Sequence, residues 1–354
     1  MRLNHNSYEI FDFMRSRSAI GVLSKIIITI PPINLRMIIG VMGPEGSYSE
    51  RAAKLWARKN GLRGAEFHYF ADIEDAFLAA VGGKTDISVV PVENSIEGSV
   101  GVTLDLLLEN EAVIIGEIVV KIEHCLLSKG EPEKIRVILS HPQGLAQCRH
   151  FLKTHFPEAE LRSTGSTSHA ARLAGEFEEM AAIASPEAAE RYGLKILLSN
   201  VQDRKENHTR FIVVRGGEKV LSGKIKGKAD SGEKLNTVFG RNAEHKLCSE
   251  TETGTENSSS YAFKTSLIVY LEKDRPGALY EPLGFFAKRG INLTKIESRP
   301  SKKELGDYYF YIDLEGNISD VLIKDALEDI KSKASKKSRS STLKVLGSYP
   351  AFKK

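Results

Sequence analysis

Thr209 and Arg210 stand side by side in Asn207-His208-Thr209-Arg210-Phe211, after a polar stretch and ahead of an apolar run. A hydroxyl beside a guanidinium suits an acidic small molecule, since one can donate to an oxygen and the other can form paired charge-assisted bonds with a carboxylate. A short string of this kind also opens strands for purely structural reasons, so its weight depends on company. Pro91-Val92-Glu93-Asn94-Ser95-Ile96-Glu97-Gly98 follows an apolar run and brings a carboxylate, a carboxamide and a hydroxyl to one strand end. A helix cap accounts for Asn94 or Ser95 about as well. Glu93, beside a cleft, is a candidate acid or hydrogen-bonding group.

Three further segments offer polar groups at helix starts. Gly43-Pro44-Glu45-Gly46-Ser47-Tyr48-Ser49 can cradle an anion with the hydroxyls of Ser47 and Ser49 and the N–H groups of the next helix, or it is a tight turn and N-cap. Its spacing matches neither the dinucleotide fingerprint nor the Walker loop. In Ser140-His141-Pro142-Gln143 with Gln147-Cys148, Ser140 is expected to cap a helix with Gln147 one turn along, His141 to sit in the turn and Cys148 to be buried. Gly165-Ser166-Thr167-Ser168 opens another helix, as an anion site or as a plain N-cap by Ser168.

The elements that must position these groups alternate. Apolar runs at 38–42, 87–90, 113–120, 137–139, 181–184 and 211–214 read as strands, and helical spacing occupies 50–59, 73–81, 104–108, 144–154, 168–177 and 186–192. Such alternation predicts α/β layers around a mainly parallel sheet, with ligands at the loops beyond the strand ends. Residues 216–262, rich in Lys, Gly, Glu, Ser and Asn, read as a flexible linker. Beyond it, strands at 264–271, 291–300, 307–314 and 342–346 and helices at 277–290 and 321–332 give a ferredoxin-like βαββαβ order.

A chain of 354 residues with 41% hydrophobic and 27% charged residues has room for two domains. A net charge of +4 with dispersed basic residues predicts no nucleic-acid partner. Three widely spaced cysteines, with no zinc-like spacing, predict a reducing cytoplasm. The apolar run at 19–33 is interrupted by Lys25, closed by Pro31-Pro32 and too short for a membrane span. Residues 1–36 are therefore expected to be an extension, with the natural start at Met37.

Taken in order, Gly43-Pro44-Glu45-Gly46-Ser47-Tyr48-Ser49, Val90-Pro91-Val92-Glu93-Asn94-Ser95, Ser140-His141-Pro142-Gln143 with Gln147-Cys148, Ser166-Thr167-Ser168 and Asn207-His208-Thr209-Arg210-Phe211 resemble the motifs of the prephenate dehydratase family. Gly277-Ala278-Leu279-Tyr280 and Glu297-Ser298-Arg299-Pro300 resemble the phenylalanine-binding motifs of that family's C-terminal ACT domain. The resemblance implies a catalytic module over 37–215 of two α/β subdomains, similar to periplasmic binding proteins, and an ACT domain over 263–348. It implies conversion of prephenate to phenylpyruvate, inhibition by L-phenylalanine, and a homodimer or homotetramer.

By motif position, Thr209, Glu93, Asn94 and Gln147 match catalytic positions, and Ser47, Ser140, Ser166, Thr167, Ser168, Arg210 and Phe211 match substrate-binding ones. Gly277, Ala278, Leu279, Glu297, Ser298, Arg299 and Pro300 match effector-binding ones. Losing a ring hydroxyl and a ring carboxylate as carbon dioxide creates an aromatic ring, so the implied reaction needs no redox cofactor, metal or strong base. It needs a hydrogen bond or proton for the leaving hydroxide, assigned to Thr209, and donors for two carboxylates, assigned to Arg210 and the helix N-termini.

Two departures stand out: Tyr280 replaces a smaller apolar residue, and the linker is long for the family. Residues 1–36 are too few for a chorismate mutase domain, so a single activity is expected. A solute-binding protein, an arogenate dehydratase and a purely regulatory amino-acid sensor are the alternatives. The joint presence of Thr209, Glu93 and Gln147 favours an enzyme.

Overall fold

Apolar residues at 52, 53, 56 and 57 on one side of a helix, and a serine at its start, show how local sequence sets the first layer. Ser47 Oγ accepts from Glu50 N at the head of α1 (Tyr48–Lys59), whose Ala52, Ala53, Trp56 and Ala57 are buried. Asp72 caps α2 (Ile73–Val81) in the same way and buries Ala76, Phe77, Ala79 and Ala80. The computed structural model describes residues 36–217, 262–271, 276–302, 307–335 and 343–352. The extension expected over 1–36 and the linker expected over 216–262 lie outside these residues, edge positions excepted.

The first lobe is a sheet of β1 (Ile38–Met42), β2 (Glu66–Phe70), β3 (Ile87–Asn94), β4 (Gly98–Ser99), β5 (Ala112–Lys121) and β11 (His208–Gly216), with α3 (Gly101–Glu109) beside α2. Its order is β2-β1-β3-β11-β5, with β4 folded back on β3. β1 runs parallel to β2 and β3, whereas β11 is antiparallel to both β3 and β5. The sheet is therefore mixed rather than mainly parallel. Helical crossovers within the lobe make parallel neighbours, and β11 instead re-enters from the second lobe.

That second lobe contains β6 (Cys125–Ser128), β7 (Val137–Ser140), β8 (Glu160–Ser163), β9 (Met180–Ala184) and β10 (Lys195–Leu198), ordered β10-β6-β9-β7-β8. Its helices are α4 (Pro142–Gln147), α5 (Arg149–His155), α6 (Thr167–Ala174) and α7 (Pro186–Tyr192). The single helix expected over 144–154 is two, because the chain bends at the buried Cys148. The loop expected over 91–98 is mostly strand: β3 runs on to Asn94, whose Oδ1 accepts from Ile96 N and Glu97 N at 2.9 and 3.0 Å and closes a hairpin to β4. The chain crosses between lobes after β5 and again before β11. Those crossings are tied by Ile122 N to Asn207 O at 2.8 Å and by Val201 N to His124 O at 2.9 Å.

The C-terminal domain is β12 (Phe263–Leu271), α8 (Tyr280–Ala287), β13 (Leu293–Pro300), β14 (Tyr308–Glu315), α9 (Val321–Ser335) and β15 (Leu343–Pro350). This is the expected βαββαβ order, in an antiparallel sheet ordered β13-β14-β12-β15. Alternate residues serve opposite faces. Leu267, Val269, Ile312 and Leu314 pack with Phe286, Ala326 and Leu327 under the helices. Ile268, Tyr311, Leu346 and Tyr349 join Leu104, Leu107, Ile114 and Ile212 in a core shared with the first lobe. At roughly 1.5–3 kcal/mol for each large apolar side chain removed from water, this shared core binds the two sheets firmly. Gly347 permits the contact, since a Cβ there would lie 2.1 Å from Ile114 O.

Candidate active site

Period-two alternation along β3 and β11 divides the residues that the sequence places together. Thr209 pairs with Asn94 and Arg210 with Glu93. Consecutive side chains point to opposite faces, so Asn94 and Thr209 share one face and Glu93 and Arg210 the other.

On the first face, Asn94 Nδ2 donates to Thr209 Oγ1 and to Asn207 Oδ1, both at 2.8 Å. Because Thr209 Oγ1 accepts, its own O–H proton is free to be donated elsewhere. Asn207 Nδ2 donates to Gln147 Oε1 at 3.0 Å, and Gln147 Nε2 donates to Glu97 Oε1 at 3.3 Å across the lobes. His124 Nε2 lies 2.9 Å from the same Gln147 oxygen. An oxygen there only accepts, which places the proton on Nε2 and leaves a lone pair on Nδ1. Burial pulls the His124 pKa down against the opposing effect of its hydrogen bond to Gln147, so the ring is neutral near pH 7. Its Nδ1 is buried and has no partner among the described residues, and neither has the side-chain amide nitrogen of Gln202, whose Oε1 accepts from His124 N.

The rim of this network is lined by the loop before α1 and the heads of α6 and α7. Ser166 caps α6 by accepting from His169 N at 3.0 Å, so the N-cap is Ser166 rather than Ser168. Ser168 is 1% exposed, and its Oγ has no protein partner. It lies 3.6 Å from where a Cβ on Gly46 would be. The same loop reaches the second lobe through Ser185 Oγ to Gly46 O at 2.9 Å and Tyr192 OH to Glu45 O at 3.3 Å, and α1 does so through Arg51 with Glu187 at 3.2 Å. Ser47 and Thr167 are half-buried at this rim.

Several expected site residues lie elsewhere. Arg210 faces away from the cleft: its guanidinium meets Asp313 at 2.7 Å, Glu93 at 3.1 Å and Glu117 at 3.2 Å. Burial opposes the charge, but these carboxylates, Asp313 foremost, hold its pKa above the ordinary arginine value. Glu93 is shared with Lys295 at 3.2 Å on that same far face. Phe211 is a core side chain, 2% exposed. Ser140 is wholly buried and donates to Ile183 O at 2.7 Å, while His141 takes the capping place assigned to it. Asn94 has its amide fully used, which makes it a positioning group and not a proton carrier. Gly277, Ala278 and Leu279 form the turn before α8, with Tyr280 exposed; on β13, Glu297 and Arg299 turn inward, and Ser298 and Pro300 outward.

His124, Asn207, Glu97 and Gln202 belong to the network without having been assigned a role from the sequence. A histidine at a chain crossing, flanked by the apolar ends of two strands, is the signal that would have found His124.

A family model described as prephenate dehydratase matches residues 39–219, and one described as the ACT domain matches residues 265–332. A curated prephenate dehydratase of Methanocaldococcus jannaschii is 38% identical over 313 residues, covering 87% of this chain and 96% of its own. The crystal structure of a prephenate dehydratase from Arthrobacter aurescens in complex with L-Phe is 30% identical, with a TM-score of 0.69, over 89% of this chain and 90% of that one. A structure described as a novel type of quorum-quenching acylase is 27% identical, with a TM-score of 0.67, over 89% of this chain and 98% of that one. With half of its length matched by the family model and most of it aligned to such relatives, the chain belongs to the prephenate dehydratase family and carries a C-terminal ACT domain.

Proposed function

We propose that the protein converts prephenate to phenylpyruvate, water and carbon dioxide in L-phenylalanine biosynthesis, and that L-phenylalanine bound at the ACT domain inhibits it. The observation that carries the chemistry is the Thr209 hydroxyl, which accepts from Asn94 and keeps its proton for a ligand. As the ring C–OH bond breaks, the electrons of the ring carboxylate's C–C bond pass into the ring, carbon dioxide leaves, and the hydroxide takes up a proton from solvent to become water. Thr209 donates a hydrogen bond to that leaving oxygen. A threonine hydroxyl is too weak an acid to be ionised near neutral pH, so its part is charge stabilisation in a water-poor site.

The head of α6, with the unpartnered Ser168 Oγ inside it and Ser166, Thr167 and Ser47 nearby, suits a substrate carboxylate. Neutral His124 offers an acceptor at Nδ1 and keeps Gln147 and Asn207 in register behind Asn94. The same reading makes the protein a cytoplasmic homodimer or homotetramer.

The likeness to an acylase raises a second reading. Acyl transfer by a hydroxyl or thiol needs a base against the nucleophile. Thr209 is held by a carboxamide, which takes no proton. Cys125 and Cys148 are buried free thiols, and burial pushes Cys148 up to about 12. The geometry favours the dehydratase.

Purified protein is expected to form phenylpyruvate from prephenate, read by its ultraviolet absorbance in alkali, and to be slowed by added L-phenylalanine. Arogenate and an N-acylated amine run in parallel. Turnover of the acylated amine alone would replace the reading, and turnover of arogenate in preference to prephenate would change the substrate.

A further inference from the structure

Glu93 and Arg210 are prominent in the sequence, yet the cleft uses neither. They sit where the ACT sheet meets the catalytic sheet. The catalytic side contributes Glu93, Glu117 and Arg210, and the ACT side Lys264, Lys295 and Asp313. Two carboxylates and one guanidinium sum to −1; two ammonium groups and one carboxylate sum to +1. Each side meets groups of opposite sign on the other, while Lys295 also lies 4.0 Å from Glu297 of its own strand, and charges of this kind are costly to bury unpaired.

Within this cluster Lys295 has a particular place. It lies on β13, the edge strand of the ACT sheet, which among the described strands pairs only with β14 and carries Glu297 to Pro300 just beyond it. Its side chain is 9% exposed; Nζ donates to Ser99 Oγ at 2.7 Å and lies 3.2 Å from Glu93 Oε1. Glu93 and Ser99 face each other across the β3–β4 hairpin. The turn of that hairpin is closed by Asn94 Oδ1, and Asn94 Nδ2 holds Thr209 Oγ1. Other described ACT-domain cations that meet the first lobe land elsewhere: Arg299 and Lys302 on Asp105 of α3, Lys344 on the last carbonyls of α3, Lys264 on Glu117 of β5. Among these cations, Lys295 is the one that grips the hairpin.

We propose that Lys295 is the coupling residue through which the ACT domain sets the placement of Asn94 and Thr209. Movement of the effector strand shifts Lys295, Lys295 draws the hairpin with it, and the Asn94 amide leaves its position against Thr209 Oγ1. The inference rests on inhibition by L-phenylalanine as set out under Proposed function, and names the contact that transmits it.

The test compares the full-length protein with Lys295→Met and Lys295→Arg, measuring turnover of prephenate against L-phenylalanine concentration and, by calorimetry, L-phenylalanine binding. Methionine keeps the aliphatic stem and loses the charge. In Lys295→Met, uninhibited turnover is expected within about twofold and L-phenylalanine affinity within about threefold of the parent, while half-inhibition requires at least about tenfold more L-phenylalanine. Lys295→Arg, which still reaches Glu93, is expected to restore inhibition. Lys295→Met that binds L-phenylalanine and is inhibited as the parent is would overturn the coupling and leave the regulatory reading intact. A parent enzyme that turns over prephenate with no response to L-phenylalanine removes that reading and the coupling together. Should Lys295→Met not fold, Ser99→Ala keeps the charge and removes the 2.7 Å bond. A rise of about threefold in half-inhibition there supports the proposal, and none overturns it.

Discussion

On the cleft face of β3 and β11, Asn94 and Thr209, with Asn207 just ahead of the strand, form a chain of neutral hydrogen bonds. On the opposite face of the same strands, one residue away, Glu93 and Arg210 enter a cluster in which each charge meets its opposite. The neutral face keeps valences open: the Thr209 proton, His124 Nδ1 and Ser168 Oγ have no partner among the described residues. The charged face keeps none of its carboxylates without a cation. A site that must accept a charged ligand is left incomplete by the protein, and a surface that must hold two domains is closed.

That contrast is sharpened first by Arg210→Met. Taking the guanidinium out leaves the buried Asp313 without its cation, while Glu117 keeps Lys264, so stability should fall by about 3–5 kcal/mol in denaturant unfolding. A stable Arg210→Met protein with a raised KM would instead return the guanidinium to the substrate site. Thr209→Val should do the reverse: the same unfolding midpoint as the parent, with kcat reduced by about 10²–10³.

A smaller effect comes from His124. Burial holds its folded pKa below the usual 6.5, so beneath that pH the unfolded chain binds a proton that the folded chain refuses. Stability should therefore be complete above pH 6.5 and decline as pH falls, at up to about 1.4 kcal/mol per pH unit for one proton. His124→Asn should flatten that slope; an unchanged slope would mean that the ring is protonated in the native state. The smallest effect is expected from Lys344→Met. Its ammonium donates to Leu107, Leu108 and Asn110 carbonyls at the end of α3, and its loss should cost about 0.3–1 kcal/mol without altering turnover.

Much of this was legible beforehand. The helices Ile73–Val81 and Pro186–Tyr192 follow from apolar spacing with an Asp or Ser cap, and both ends agree with the sequence reading. The strands β2, β6, β8 and β10 did not declare themselves. Glu66–Phe70 and Glu160–Ser163 are edge strands with much of their side-chain surface in solvent and carry no sustained apolar run, whereas Lys195–Leu198 and the buried Cys125–Ser128 do hold short apolar runs but are only four residues long. The motif Thr209-Arg210-Phe211 was found, but its division was not. Alternation says that the three cannot share a face, whereas which face is the cleft depends on where the C-terminal sheet docks, some fifty residues further on. Ser140 shows a related limit: a serine ahead of a helix resembles a cap until a neighbouring strand carbonyl, here Ile183 O, claims its proton.

The paired crossings between the lobes, Ile122 with Asn207 and Val201 with His124, also locate the site mechanically. In any rotation of one lobe against the other about these crossings, displacement grows with distance from the pivot. Asn207 and His124 are themselves part of the pivot, and Gln147 is bonded to both. The contacts of Gly46 and Glu45 with the second lobe are made instead through the loop ahead of α1 and the head and tail of α7. Tyr48, the first residue of α1, is tied to the same pivot, its OH donating to Glu123 O at 2.6 Å, so in such a rotation the groups that act on the ligand would sit near the axis and scarcely travel.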